Sequence, residues 1–312
     1  MRMTQAAQTE TQKVAIIGLP GSGKTTLAAE LANKFRLHWI DIERGSSVLY
    51  KLPTAAQENI NLIRLPDSAS YPIAADTLIQ LFKAGKANIC HAHGKIDCAI
   101  CKKATPEAFD TLDFSTLTTD DIVVLDSGTQ WSNSILAHVM KGKSIDSKPE
   151  RDDWGALRKH TEFALSQMQA ANFNLVVIFH AQEAELETGA KKLVPTFGSA
   201  GMSTEVAKAF DHVVFCDIKN RKHVAYSSSI ALPTVMTKSR LDFEIEKMAV
   251  PSLIPIFDGS LIKKHHAAVE QIKKELIEGT EIAAGITEFN PINAASNLSP
   301  AQQALANLRN KK

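Results

Sequence analysis

Short apolar runs alternate with longer amphipathic stretches along most of this chain. Lys13-Val-Ala-Ile-Ile17 is the first run, continuous and rich in β-branched residues, and it predicts a buried strand. Residues 26–35 carry apolar side chains at helical spacing. Residues 37–42 and 60–65 predict two more strands, the second stopped by Pro66. Residues 72–82 predict a helix with proline in its first turn. Ile122-Val-Val-Leu125, ending at Asp126, and Leu175-Val-Val-Ile-Phe179 are the short unbroken runs expected of central parallel strands. Helical patterns cover 129–140 and 154–171 between them, and 212–216 and 223–226 predict further strands. Alternation of this kind implies an α/β fold with a mainly parallel central sheet flanked by helices. Ligands in such folds bind at the carboxyl ends of the strands. Asp41, Glu43, Asp126, His180 and Gln182 close these runs and are expected to gather there.

The same pattern divides the chain. Residues 1–12 lack bulky apolar side chains and read as a disordered arm. One domain is expected over 13–258, interrupted by a Cys/His-rich insertion at 88–104. From Gly259 the character changes: a charged helix over 261–278 leads into an Ala-, Asn- and Ser-rich stretch with an amphipathic segment at 300–308. Residues 259–312 are therefore expected to form a C-terminal helix and mobile tail.

Composition adds little. Among 312 residues, 44% are hydrophobic and 22% charged, with a net charge of +1, so no global field advertises nucleic acid or membrane as a partner. No apolar run reaches the roughly 20 residues of a membrane span, and the N-terminus lacks the apolar stretch of a signal peptide. Three of four cysteines fall between Cys90 and Cys101, which favours a local metal site in a reducing, cytoplasmic setting over disulfides.

Between the first strand and first helix lies Gly18-Leu-Pro-Gly-Ser-Gly-Lys-Thr25, which fits the phosphate-binding pattern G-x-x-x-x-G-K-[ST] in its required strand–loop–helix context. Gly18, Pro20, Gly21, Ser22, Gly23, Lys24, Thr25 and Thr26 are the expected nucleotide contacts. Glycines let backbone N–H groups curl around the β- and γ-phosphates. Lys24 is expected on those phosphates, and Thr25 with Asp126 on Mg²⁺. The chain is thus expected to bind ATP with Mg²⁺. The residue after Asp126 is Ser127 rather than a glutamate, so the carboxylate that activates water must come from elsewhere, and Glu43 is the candidate base.

Cys90, His93, Cys98 and Cys101 form C-x-x-H and C-x-x-C pairs suited to a tetrahedral Zn²⁺, a small structural zinc knuckle, with His91 an alternative to His93. Cys216 lies in an apolar run and reads as core.

The succession of P-loop, Trp39-Ile-Asp-Ile-Glu43, Leu125-Asp-Ser127 and Ile178-Phe-His-Ala-Gln182 resembles the core of RecA-like recombinases. Asp41-Ile-Glu-Arg-Gly45, Asp153-Trp-Gly155 and Lys238-Ser-Arg-Leu-Asp-Phe243 bring the chain nearer to phage-encoded ATPases of the RecA-like single-strand annealing group, similar members of which are called phage nucleotide-binding proteins. The resemblance covers residues 13–258. It implies a DNA-stimulated ATPase of phage recombination, annealing or repair, with Gln182 as γ-phosphate sensor and His180 as a second candidate. It implies Lys238 and Arg240 acting on a neighbour's nucleotide in a homo-oligomer. Single-stranded DNA is then the partner, with a single-strand-binding protein as a further candidate. DNA contacts fall on 138–153, which carries Lys141, Lys143, Lys148 and Arg151, and on 182–205, which carries Lys191, Lys192 and Phe197, the last as a base-stacking ring. Acids in both loops weaken the electrostatic case. The alternatives are a P-loop ATPase acting on a protein partner in phage DNA replication or packaging, and a small-molecule or nucleotide kinase, for which no arginine-rich lid is evident.

Overall fold

The computed structural model describes residues 11–271 except 69–70, 104–107, 145, 187, 241–242, 265–266 and 268. Most of the N-terminal arm and the tail expectations beyond residue 271 lie outside the described residues. Contacts divide the chain into two units, residues 1–262 and 263–312.

Among the described residues of the first unit ten strands form: β1 (Lys13–Gly18), β2 (Arg36–Asp41), β3 (Ile60–Arg64), β4 (Lys86–Cys90), β5 (Phe109–Asp113), β6 (Asp121–Asp126), β7 (Asn174–Glu185), β8 (Lys191–Pro195), β9 (His212–Lys219) and β10 (Lys222–Tyr226). The main sheet runs β10-β9-β1-β7-β6-β2-β3, with β8 paired to the outer half of β7. Every pairing from β9 to β3 is parallel; β10 and β8 are antiparallel additions. The expected mainly parallel α/β architecture is what forms.

Strand alternation sorts the core into two layers. Ala15, Ile17, Val123, Leu125, Val177 and Phe179 face one layer, covered by helices α2 (Ile73–Ala84), α3 (Gly128–Val139) and α4 (Arg151–Ala170). Val14, Ile16, Val124, Val176 and Ile178 face the other, under α1 (Lys24–Ala29) and the segment bearing Phe243, Ile245, Leu253 and Ile256. Burial on both faces explains why the central strands read as unbroken apolar runs.

Two expectations are corrected. Residues 182–205 are not an open loop: β7 continues to Glu185, turns, and returns as β8 before the short helix α5 (Ala200–Glu205). Phe197 is 1% exposed and packs edge-on to Phe179, so it cannot offer its ring to a base. The Cys/His insertion is wider than its ligands, because β4 and β5 pair as a separate antiparallel ribbon on either side of it.

Candidate active site and Cys/His cluster

Register brings the strand-end residues together. Gly18 on β1 lies beside His180 on β7, and Asp126 on β6 lies between Asp41 on β2 and Ile178 on β7. The P-loop follows β1 and closes on α1. Gly21 and Gly23 take φ of 77° and 94°, a left-handed backbone open to glycine. A Cβ on Gly18 would come within 2.6 Å of the Cys216 carbonyl oxygen, and one on Gly23 within 2.7 Å of His223 Nδ1. The loop therefore tolerates only glycine at points where the backbone turns most tightly. Ser22 Oγ is buried without a partner among the described residues, as expected of a hydroxyl lining a phosphate cradle. Lys24 Nζ donates to the carbonyls of Gly18 and Leu19 at 3.0 and 2.9 Å. Burial lowers its ammonium below the ordinary lysine value.

Thr25 Oγ1 donates to Asp126 Oδ2 at 3.3 Å, so the two residues expected at Mg²⁺ share one spot. Asp126 is 3% exposed. Burial, reinforced by the charges of Glu43 and Asp41, pushes its carboxyl up to about 7. A buried carboxylate cluster with few protonated partners is an arrangement that a divalent cation relieves, and an oxygen-ligand set of this kind suits Mg²⁺.

Asp41 accepts backbone N–H groups of Gly45 and Ser46 at 3.1 and 3.2 Å and so fixes the loop that carries Glu43. Within that loop Arg44 has φ of 60°, a left-handed conformation costing a non-glycine residue about 1–2 kcal/mol. Glu43 receives a hydrogen bond from Ser127 Oγ, and His180 Nε2 lies 3.2 Å from each of its carboxylate oxygens. Burial raises the Glu43 carboxyl, but the bonds from His180 and Ser127, with the charges of His180 and Lys24, outweigh it and hold the group below the usual range. Ser127 also caps α3, accepting the Gln130 N–H at 3.1 Å. The Asp126–Ser127 peptide is cis.

Sequence reasoning missed the Ser127–Glu43–His180 arrangement. A Ser-x-x-Gln at the start of a helix signals the cap but not the second role of the hydroxyl. Of the remaining expected site residues, Gln182 donates from Nε2 to Ser203 Oγ at 2.8 Å, and His180, not Gln182, is the β7 side chain that meets Glu43. Lys238 and Arg240 lie at the opposite edge of the sheet: Lys238 bridges Val213 near the start of β9 and bonds the Phe210 carbonyl, and Arg240 pairs with Asp211 at 2.9 Å. Neither is beside this chain's own P-loop. Among the loop lysines, Lys143 is tied to Asp153 at 2.7 Å, Lys141 to Asp76 at 3.6 Å, and Lys191 to Glu183 at 3.2 Å, while Lys148 and Arg151 are exposed.

In the insertion, one ligand atom from each of Cys90, His93, Cys98 and Cys101 lies within 4.8 Å of the others. His93 Nδ1 is 3.8, 3.6 and 3.3 Å from the three Sγ atoms. Zn–S and Zn–N bonds of about 2.3 and 2.0–2.1 Å at tetrahedral angles separate S and N by about 3.6 Å, so the set is compatible with zinc. His91 instead pairs with Asp110 at 3.0 Å, which settles the choice between the histidines. Cys216 is buried beside the P-loop, and burial pushes its thiol up to about 12.

Residues 10–241 match the family model described as an AAA domain. No curated protein matches the chain. Among solved structures, a prototypical ATPase from the type III secretion system of pathogenic bacteria is similar at 14% identity and a TM-score of 0.38, over 74% of this chain and 58% of that one. The chain thus spans little more than half the length of that relative.

Proposed function

Since the chain belongs to the AAA domain family and carries a P-loop ATPase domain, we propose that it hydrolyses ATP in a cycle coupled to single-stranded DNA, in phage recombination, annealing or repair. The observation that carries the hydrolytic part is the convergence of Lys24, Asp126 and the Ser127–Glu43–His180 set at one sheet edge. Backbone N–H groups of the P-loop and Lys24 hold the β- and γ-phosphates. Thr25 and Asp126 hold Mg²⁺, which when bound neutralises charge on the phosphates. Glu43 is the general base. The water oxygen bonds to the γ-phosphorus, its proton passes to a Glu43 carboxylate oxygen, and the bond to ADP breaks. Ser127 and His180 orient that carboxylate and keep it ionised, which makes them positioning residues.

The coupling to DNA is supported by the resemblance carried by Asp41-Ile-Glu-Arg-Gly45 and Lys238-Ser-Arg240. On the same reading the chain forms a homo-oligomer in which Lys238 and Arg240 reach a neighbour's nucleotide, and Gln182 relays its state. Zn²⁺ would brace the Cys90–His93–Cys98–Cys101 module without a part in the chemistry, since four protein ligands leave a tetrahedral ion no open position.

Hydrolysis measured with and without single-stranded DNA, beside Lys24→Ala and Glu43→Gln, tests the proposal. Stimulation by DNA that vanishes in both variants is expected. Hydrolysis indifferent to DNA overturns the coupling, and full activity in Glu43→Gln overturns the assignment of the base.

A further inference from the structure

An open cleft of about 410 Å³ lies between the catalytic loop and the Cys/His module. Arg44, Arg64, His91, Tyr50, Ser46 and Ser47 line it with Pro66 and Ala92, and among the described residues no carboxylate does. That is unusual in a chain whose basic and acidic residues nearly balance. Arg44 and Arg64 are exposed, Arg64 donates to the Tyr50 hydroxyl at 2.9 Å, and Tyr50 is 64% exposed. His91, on the Cys/His wall, is paired with Asp110 of β5.

The walls are fixed. Gly94, in the turn after His93, has φ of 61° and sits so close to β3 that a Cβ would come within 2.9 Å of the Arg64 carbonyl oxygen. Its own carbonyl accepts from Thr77 at 2.7 Å in the interior. Asp41 fixes the opposite wall through Gly45 and Ser46. At one end the cleft shares Arg44 and Pro66 with a second hollow, which holds the carboxylates Glu43 and Asp67 beside Gln130, Asn133 and His180.

Two exposed guanidinium groups, the exposed Ser47 and an exposed tyrosine, with no carboxylate among the lining residues, are complementary to phosphodiester oxygens and an unstacked base. We infer that this cleft is the path of single-stranded DNA, with Arg44 and Arg64 on the backbone and Tyr50 under a base. The inference rests on the DNA-coupled reading above but moves the contact away from 138–153 and 182–205, where several lysines are paired with acids and Phe197 is buried. A strand lying here touches Arg44, the residue after the general base, so occupancy of the cleft bears directly on the loop that presents Glu43.

The test is binding of a fluorescent oligo(dT) to the full chain at several salt concentrations, with inorganic phosphate as competitor. Arg64→Ala is expected to weaken binding several-fold and to flatten the dependence of log K on log salt by about 0.7, one phosphate's worth. Tyr50→Ala is expected to weaken binding about ten-fold with the slope unchanged. Lys148→Ala, outside the cleft, is expected to leave binding as it is. Retained binding of a fluorescent ATP analogue shows that each variant is folded. If the chain binds the oligonucleotide but both cleft variants bind it equally well, this path is wrong and the DNA-coupled function stands. If phosphate competes as strongly as unlabelled oligo(dT), the cleft is an anion site only and the inference is overturned. If the chain binds no single-stranded DNA, both readings fail.

Discussion

The catalytic edge and the Cys/His module each gather four or five reactive side chains, but different forces assemble them. At the catalytic edge a two-layer core fixes the strands, and strand register then presses Asp41, Asp126 and Glu43 together against their mutual repulsion. The module has little core of its own. Cys90, Cys98 and Cys101 with part of Phe109 form a small cluster around the ligands, while Ala87, Ile89 and Leu112 of the two-stranded β4–β5 ribbon are buried in the main core. Small segments without a core draw their order from a metal or a disulfide, and all four cysteines here are free. One site is destabilised by its charges and held by the fold; in the other, the fold anchors two strands, and the segment between them gathers a ligand set compatible with zinc.

Stripping the metal is expected to have the largest effect and to break the comparison most directly. Structural zinc contributes on the order of 10 kcal/mol to folding in small modules. Chelation, or Cys98→Ser, is expected to lower hydrogen-exchange protection between Cys90 and Cys101 far more than in β1, β6 and β7. Equal loss in the main sheet would mean that the module has no separate source of order.

Glu43→Gln is expected to slow ATP hydrolysis by about 10²–10⁴-fold with ATP binding and thermal midpoint unaltered, since the side chain is peripheral to the core. A parallel fall in stability would show that the loop is part of the fold.

Asp126 tests the charge strain. Its folded pKa is raised from 3.8 to about 7, so between those values the folded chain holds a proton that the unfolded chain has lost. Stability therefore falls as pH rises through that window and levels off above about 7. At about 1.4 kcal/mol per unit, the upper bound is about 4 kcal/mol. Asp126→Asn is expected to be more stable than the parent at pH 8 in the absence of nucleotide, by an amount that shrinks as pH falls toward 4. An unchanging difference across that range would remove the electrostatic explanation.

His180→Ala is expected to give the smallest effect, about a ten-fold loss in hydrolysis, in keeping with one hydrogen bond to a charged group. The imidazole helps to hold the Glu43 carboxyl down, so its removal is expected to shift the acid limb of the pH–rate profile to higher pH. A purely structural role would lower the rate without moving that limb.

Much of the fold and of the nucleotide site is legible in the chain alone. The P-loop is a local pattern in which glycine backbone freedom and the following helix do the work, and the unbroken apolar runs announce strands covered on both faces. Ligand binding at strand ends then follows from parallel topology, which is why Lys24, Asp126 and Glu43 can be singled out together. Partners across strands are left to the tertiary structure. That His180 meets Glu43 while Gln182 turns to Ser203 depends on the register of β7 against β1 and on helix α5, far apart in sequence. That His93 faces the thiols while His91 meets Asp110 depends on the turn at Gly94 packed on β3. Phe197 reads as a free ring along the chain, yet the return of β8 folds it inward against Phe179. The cleft lined by Arg44, Arg64 and Tyr50 has no linear signature, because three separate segments supply its lining. Local backbone chemistry and apolar periodicity are written residue by residue, whereas a contact between distant side chains exists only once the core has fixed the distance between them.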